Sequence, residues 1–229
     1  MDPRQLADST RDRILTKAGP IFAAKGFRGT TVREICDHAN VNLASINYYF
    51  GDKQKLYNET VVLARNMRVE KVPYPDWDES TPASQKLADF IYVILERLVA
   101  MESEPWQVRL LMREILQPSE ACRHLVRDYF QPFFQALLRI VDDLVGCRLP
   151  EHERSKIGFS VIGQCLFYRF AGDVSALMIG TELYEGKFDR RQLAQHITKF
   201  SLNAIEQIRM DHQTSETENA PNLSTRMEP

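Results

Sequence analysis

Apolar residues recur every three or four positions along almost the whole chain, the spacing that gathers them on one face of a helix. No segment alternates with period two, and no Asn-Gly or Asp-Gly pair signals a hairpin. A first helix opens near Ser9 or Thr10, either of which can cap it, and carries the stripe Ile14, Ala18, Ile21 and Phe22. Gly26 stands where its C-terminus should fall, and Gly19-Pro20 predicts a kink, because proline has no N–H to donate. Thr31-Val32-Arg33-Glu34 reads as a capping box opening a second helix that runs to Ala39. Asn40-Val41-Asn42 is a tight turn, Leu43 to Phe50 a short third helix, and Lys53 to Val69 a fourth.

Pro73, Pro75 and Pro82 then mark a connection. Helices follow over Ala83 to Glu102, Pro105 to Gln117, Glu120 to Gly146 with a bend at Pro132, Glu151 to Met178, and Arg190 to Arg209. The fold class is all-α: an N-terminal three-helix helix-turn-helix domain, then a larger helical ligand-sensing and dimerisation domain. The boundaries fall at 1–52 (with 1–9 flexible), 53–210, and a polar tail over 211–229 without periodicity, read as disordered.

Charge sharpens this division. The 229 residues carry a net charge of only −2. Residues 1–71 hold four more bases than acids, whereas the remainder holds six more acids than bases. A basic front fits a surface facing phosphate, although two halves of a chain can differ this much by chance. Cys36, Cys122, Cys147 and Cys165 are scattered with no zinc-ligand spacing, so no metal or cofactor is expected, and reduced thiols in a cytoplasmic protein are the default. Neither a secretory h-region nor a membrane-length apolar run is present. No phosphate loop, paired carboxylates or nucleophile signature argues for an enzyme.

Two short helices joined by a tight turn and backed by a third form a helix-turn-helix. Ile35, Val41 and Ile46 should face inward. Asn42 and Asn47 carry amides that match the donor–acceptor pair of adenine, and the hydroxyls of Ser45, Tyr48 and Tyr49 suit phosphate oxygens. Lys53 opens the next helix, where its charge and the helix N-terminus both favour phosphate. Tyr48 and Tyr49 could be core aromatics, but neighbouring helix positions point about 100° apart and cannot both face inward.

The run Gly26-Phe27, Thr30-Thr31-Val32-Arg33-Glu34-Ile35, Val41 to Lys53 and Leu56-Tyr57 resembles the DNA-binding domain of the TetR family. The resemblance implies that Thr31, Ser45, Tyr48, Tyr49 and Lys53 touch the DNA backbone. It also implies that Asn42, Leu43, Ala44 and Asn47 lie nearest the bases. Pro20 departs from the family pattern, and so does Asn47, where many members carry an aromatic. Met112 to Pro118, Pro132-x-Phe134 and Val161 to Arg169 are similar to a CerR-type C-terminal sensory domain. The implied protein is a regulator, most simply a repressor, that binds a palindromic operator as a homodimer through its last two long helices. A small-molecule effector releases it. The alternative is a DNA-bound adaptor controlled by a protein partner.

The second half leaves more open. Trp106, Phe130 and Phe134 are candidate pocket walls, although an aromatic stripe is more often core. Gln164, Tyr168 and Arg169 are polar groups in an apolar helix; they line a pocket or pair with Glu114 or Asp173. Gly158 and Gly163 would let another helix approach closely. The stripe Leu193 to Ile208 packs within the monomer or against a partner. Arg113-Glu114 reads as an ion pair or a solvated face, and Cys165 as an inert buried thiol. The helices around Pro132 and from Lys53 to Val69 are candidate carriers of an allosteric movement between the two functions.

Overall fold

The computed structural model describes residues 3–98, 105–147 and 149–218, without the side chains of 3–8 and 215–218. The described residues form helices α1 (Pro3–Gly29), α2 (Val32–Ala39), α3 (Leu43–Phe50), α4 (Lys53–Lys71), α5 (Ala83–Leu98), α6 (Trp106–Leu116), α7 (Glu120–Leu125), α8 (Gln131–Val145), α9 (Glu151–Ile179), α10 (Thr181–Lys187) and α11 (Arg190–Glu218). A turn of π-helix, Val126–Phe130, joins α7 to α8. None of the described residues is in a strand, so the all-α expectation holds. No described helix is long and apolar enough to cross a membrane. The chain divides into two compact units, one of Met1–Tyr74 with Glu96–Phe133, the other of Pro75–Leu95 with Phe134–Pro229.

In the first unit the predicted stripe is the core. Ile14, Ala18 and Phe22 of α1 are fully buried with Ile35 of α2, Ile46 of α3, and Leu56 and Tyr57 of α4. Helix α6 packs on both α1 and α4. It comes close to α1 where side chains are missing: a Cβ on Gly19 would overlap the Trp106 ring, and one on Gly26 would lie 2.8 Å from an Arg113 nitrogen. Two buried arginines bind the carbonyls that helix ends leave free. Arg68 donates to Glu96 O and Arg97 O at the end of α5, and Arg97 donates to Val72 O just past α4.

In the second unit the buried side chains include Leu87, Phe90 and Ile91 of α5, Leu137, Leu138 and Val141 of α8, Val161 and Cys165 of α9, and Leu193 and Ile197 of α11. Arg154 donates to Asp142 at 2.8 Å, tying α9 to α8. Phe134 stacks on Phe159 with ring centroids 4.6 Å apart.

Several expectations are corrected. Helix α1 begins at Pro3 and runs through Pro20; its one non-helical residue is Gly26, at φ 71°. Pro20 itself is exposed and keeps helical backbone angles. The irregularity expected at Pro132 takes the form of the π-turn, whose extra residue lets Gln131 N–H reach Val126 O ahead of the proline. Helix α11 continues past Arg209 through 211–218; residues 219–229, the rest of the expected tail, lie outside the described residues, as do 99–102 of the fifth predicted helix. Helix α10 is absent from the sequence reading, because seven residues hold too few turns for a periodicity to show.

Candidate nucleic-acid interface

The recognition helix is built by its two caps. Asn40 takes the left-handed conformation, φ 49°, which asparagine tolerates better than most residues and which turns the chain out of α2. Asn42 then caps α3, its Oδ1 accepting from Ser45 N at 2.9 Å and Ser45 Oγ at 3.0 Å. Gly51, at φ 81°, ends α3, and Asp52 caps α4 through a bond from Lys55 N. Between these caps Ile46 and Phe50 are buried, while Leu43, Ala44, Asn47 and Tyr48 are exposed.

Exposure divides the candidate residues. Tyr48 is 81% exposed, whereas Tyr49 is half-buried against the core, its ring meeting Tyr48 edge-on at 5.0 Å. The pair is therefore split, one ring outside and one seated. Ser45 and Lys53 are also half-buried, and Thr31 and Asn42 are exposed. Lys53 lies with its ammonium 4.5 Å from the Phe27 ring centroid. Burial lowers its pKa, because a partly desolvated ammonium loses hydration. A phosphate beside it would restore what burial removes.

Three local details differ from the sequence reading. The adenine-reading role for Asn42 conflicts with its cap: the carbonyl oxygen already accepts two bonds, which leaves Asn47 as the exposed amide free of a structural duty. The box at α2 is half formed. Thr31 accepts from Glu34 N at 3.2 Å, but the Glu34 carboxylate turns to Lys25 Nζ at 2.6 Å, because an opposite charge outcompetes a neutral backbone N–H. The N-terminus of α4 is covered by the Asp52 carboxylate, so the appeal of Lys53 to phosphate lies in its side-chain charge. Arg28 and Arg33, both exposed on either side of Thr31, add positive charge beside the predicted residues, and charge is their one signal in the sequence.

The candidate effector residues are divided between the two units. Trp106 and Phe130 belong to the first unit, packed against the core that holds the helix-turn-helix. In the second unit, Phe134 is committed to Phe159 and lies 2.7 Å from where a Gly158 Cβ would be, so Gly158 admits a side chain of its own unit. Gly163 has nothing within 4 Å of such a Cβ. Gln164 donates weakly to Ser160 O at 3.3 Å, and Tyr168 meets Phe167 edge-on at 5.4 Å. Burial lowers the Arg169 pKa, while the charge of Asp173 opposes that shift. Glu114, the other partner considered, is buried in the first unit and accepts there from Tyr57 and Ser119. Arg113-Glu114 is likewise neither an ion pair nor a solvated face: Arg113 donates to Ala24 O at 3.2 Å. A surface groove of about 420 Å³ between α5 and α11, lined by Asp89, Tyr92, Arg191, Thr198, Lys199 and Asn203 among others, carries none of the candidates.

Helix α9 also leaves an apolar stripe outside. Phe159, Phe167, Phe170, Val174 and Leu177 are all exposed, Leu177 by 82%.

Comparison with known proteins agrees with this architecture. Residues 14–60 match the model for bacterial regulatory proteins of the tetR family. Residues 83–205, over half of the chain, match the C-terminal domain of the HTH-type transcriptional dual regulator CecR, which corrects the group name CerR given above. The chain is 30% identical to the probable HTH-type transcriptional regulator YttP of Bacillus subtilis over 53% of its length, and the match spans 58% of YttP, less than two thirds of it. It is 23% identical to CecR of Shigella flexneri over 78% of this chain and 83% of that protein. A structure of a Clostridium perfringens putative fatty acid metabolism regulator shares the fold, with TM-score 0.58 and 19% identity over 83% of this chain and 97% of that one. With a helix-turn-helix matched at one end and a CecR-type domain over more than half its length, this chain belongs to the TetR family of bacterial transcriptional regulators.

Proposed function

We propose that this protein is a ligand-responsive repressor that binds a palindromic operator as a homodimer in the cytoplasm. The observation that carries the reading is α3, whose buried side holds Ile46 and Phe50 while its outer side offers Asn47, Tyr48, Leu43 and Ala44. Asn47 reads a base edge, and the Tyr48 hydroxyl, Thr31, Ser45 and Lys53 anchor phosphates. Tyr49 contributes through its half-exposed edge, and Asn42 holds the helix start.

The apolar stripe of α9 is the seat of a second copy, with α11 beside it. Phe167, Phe170, Val174 and Leu177 follow one another at steps of three or four, the seam of helices that pack nearly parallel. A two-fold dimer places two recognition helices about 34–36 Å apart, or at a multiple, for successive major grooves. A small-molecule effector bound by the second unit, with Gln164, Tyr168 and Arg169 as polar contacts and Phe134 in its wall, would release DNA by preferring a dimer with the wrong spacing. An adaptor of the same fold would bind the same DNA and show no effector response.

Selection of genomic fragments by the purified chain, followed by affinity at two salt concentrations, tests the reading. Enrichment of one palindrome, with affinity falling steeply as salt rises, is the expected result. Equal, weak binding to all fragments would refute it.

A further inference from the structure

The segment Met112 to Ser119 contains a carboxylate whose surroundings the DNA-binding reading does not use. Glu114 is 1% exposed. A buried carboxylate is costly unless donors replace its water, and here three do. Tyr57 OH donates to Oε1 at 2.5 Å; Ser119 N and Ser119 Oγ donate to Oε2 at 3.2 and 2.7 Å. Ser119 is also the cap of α7, its Oγ accepting from Ala121 N. One carboxylate therefore joins α4, α6 and α7.

Tyr57 carries the link further. Its ring meets Phe22 edge-on at 4.8 Å and Phe27 at 5.3 Å. Phe27 is the ring under the Lys53 ammonium, and Lys53 and Tyr57 are one turn apart on the same face of α4. An unbroken set of contacts thus runs from the corner between α6 and α7, through Glu114, Tyr57 and Phe27, to Lys53. An apolar pair of similar volume would hold α4 on α6 without the desolvation cost. What the hydrogen bonds add is a fixed angle and register.

We propose that Glu114, with Tyr57 and Ser119, is a positioning cluster that sets the placement of Lys53 against the operator from the corner between α6 and α7. It rests on the reading of α3 and α4 as DNA-facing. The cluster touches no DNA; it acts through the Phe27 ring that seats the ammonium.

The test is a set of operator affinities for the full chain. The variants are Tyr57→Phe, Glu114→Gln, Lys53→Ala and Lys55→Ala, with each lysine change also placed on the Tyr57→Phe background. Tyr57→Phe keeps the ring and removes only the hydroxyl, so the helical circular dichroism should persist while operator affinity falls about fivefold. Lys53→Ala should weaken wild-type binding about tenfold and lower its salt dependence. On the Tyr57→Phe background the same change should cost less than about threefold, because coupled residues are not additive. Lys55→Ala should cost the same on both backgrounds, which a general loosening of the fold would not produce. If Tyr57→Phe does not fold, Glu114→Gln takes its place in the same cycle. Additive effects of Lys53 and Tyr57, in a wild type that binds its operator, overturn the positioning role and leave the DNA-binding reading intact. A wild type with no salt-sensitive operator binding overturns both.

Discussion

Helices α3 and α9 both leave large side chains in water, but of opposite kinds. On α3 and its cap the exposed set is mostly polar-tipped: Asn42, Asn47 and Tyr48, with Leu43 and Ala44 between them. On α9 it is hydrocarbon: Phe159, Phe167, Phe170, Val174 and Leu177. A polar-tipped surface is stable in water alone and can exchange that water for phosphates and base edges. An apolar stripe of this length is not stable in water, since soluble monomers rarely leave such patches uncovered. On the function proposed above, the first surface can wait for its partner, whereas the second needs its partner throughout, the difference between a reversible DNA contact and a standing dimer seam.

The comparison breaks most readily on α9. Phe167→Asp combined with Leu177→Asp should weaken self-association by at least about a hundredfold, as loss of buried apolar anchors does. Sedimentation should then show monomers, and operator binding should fall with dimerisation. An unchanged dimer would mean that the stripe faces something other than a second copy.

On α3 the contrast is between two asparagines. Asn47→Ala should cost about 1–3 kcal/mol of operator affinity and relax the preferred base at one position of each half-site. Asn42→Ala should instead lower thermal stability by about 1 kcal/mol, because it removes a helix cap. If Asn42→Ala changed the selected base and left the melting temperature alone, the cap assignment would be mistaken.

Two glycines sharpen the comparison at smaller scale. Gly19→Ala pushes a methyl into the Trp106 ring and should destabilise the fold by about 1–3 kcal/mol. Gly163→Ala meets nothing within 4 Å and should leave the monomer unchanged or up to about 1 kcal/mol more stable by helix propensity. Chemical denaturation of both variants distinguishes a filled seat from an open one. A penalty at Gly163 that appears only in the associated protein would place it in the seam.

The smallest expected effect is in thiol chemistry. Burial pushes the Cys165 pKa up to about 12 from its ordinary 9.0, whereas Cys147 is exposed. In the folded protein at neutral pH a thiol reagent should label Cys147 and spare Cys165. The unfolded thiol loses its proton near 9 while the folded one keeps it, so Cys165 adds stability that is complete below pH 9 and lost as pH rises towards 12. Prompt labelling of Cys165 without unfolding would show that the α9 interior is open.

The sequence alone determined the helical class, most of the helices other than α10, and the inner face of the helix-turn-helix. Each of these rests on local spacing: Ile14, Ala18 and Phe22 repeat with the helix, and Ile35 and Ile46 flank a turn that asparagine permits. Only the tertiary structure decided which polar groups were already committed. The Asn42 oxygen is taken up by Ser45, the Glu34 carboxylate by Lys25, and Glu114, readable in the sequence as an ion pair or a solvated face, by Tyr57, 57 positions away. Trp106, whose aromatic ring could be read either as a pocket wall or as core, lies where a Gly19 Cβ would be. The physical reason is the same in each case. Hydrophobic periodicity follows from backbone geometry and is written in neighbouring residues, but a hydrogen bond or a glycine seat depends on which distant side chain folding brings within reach.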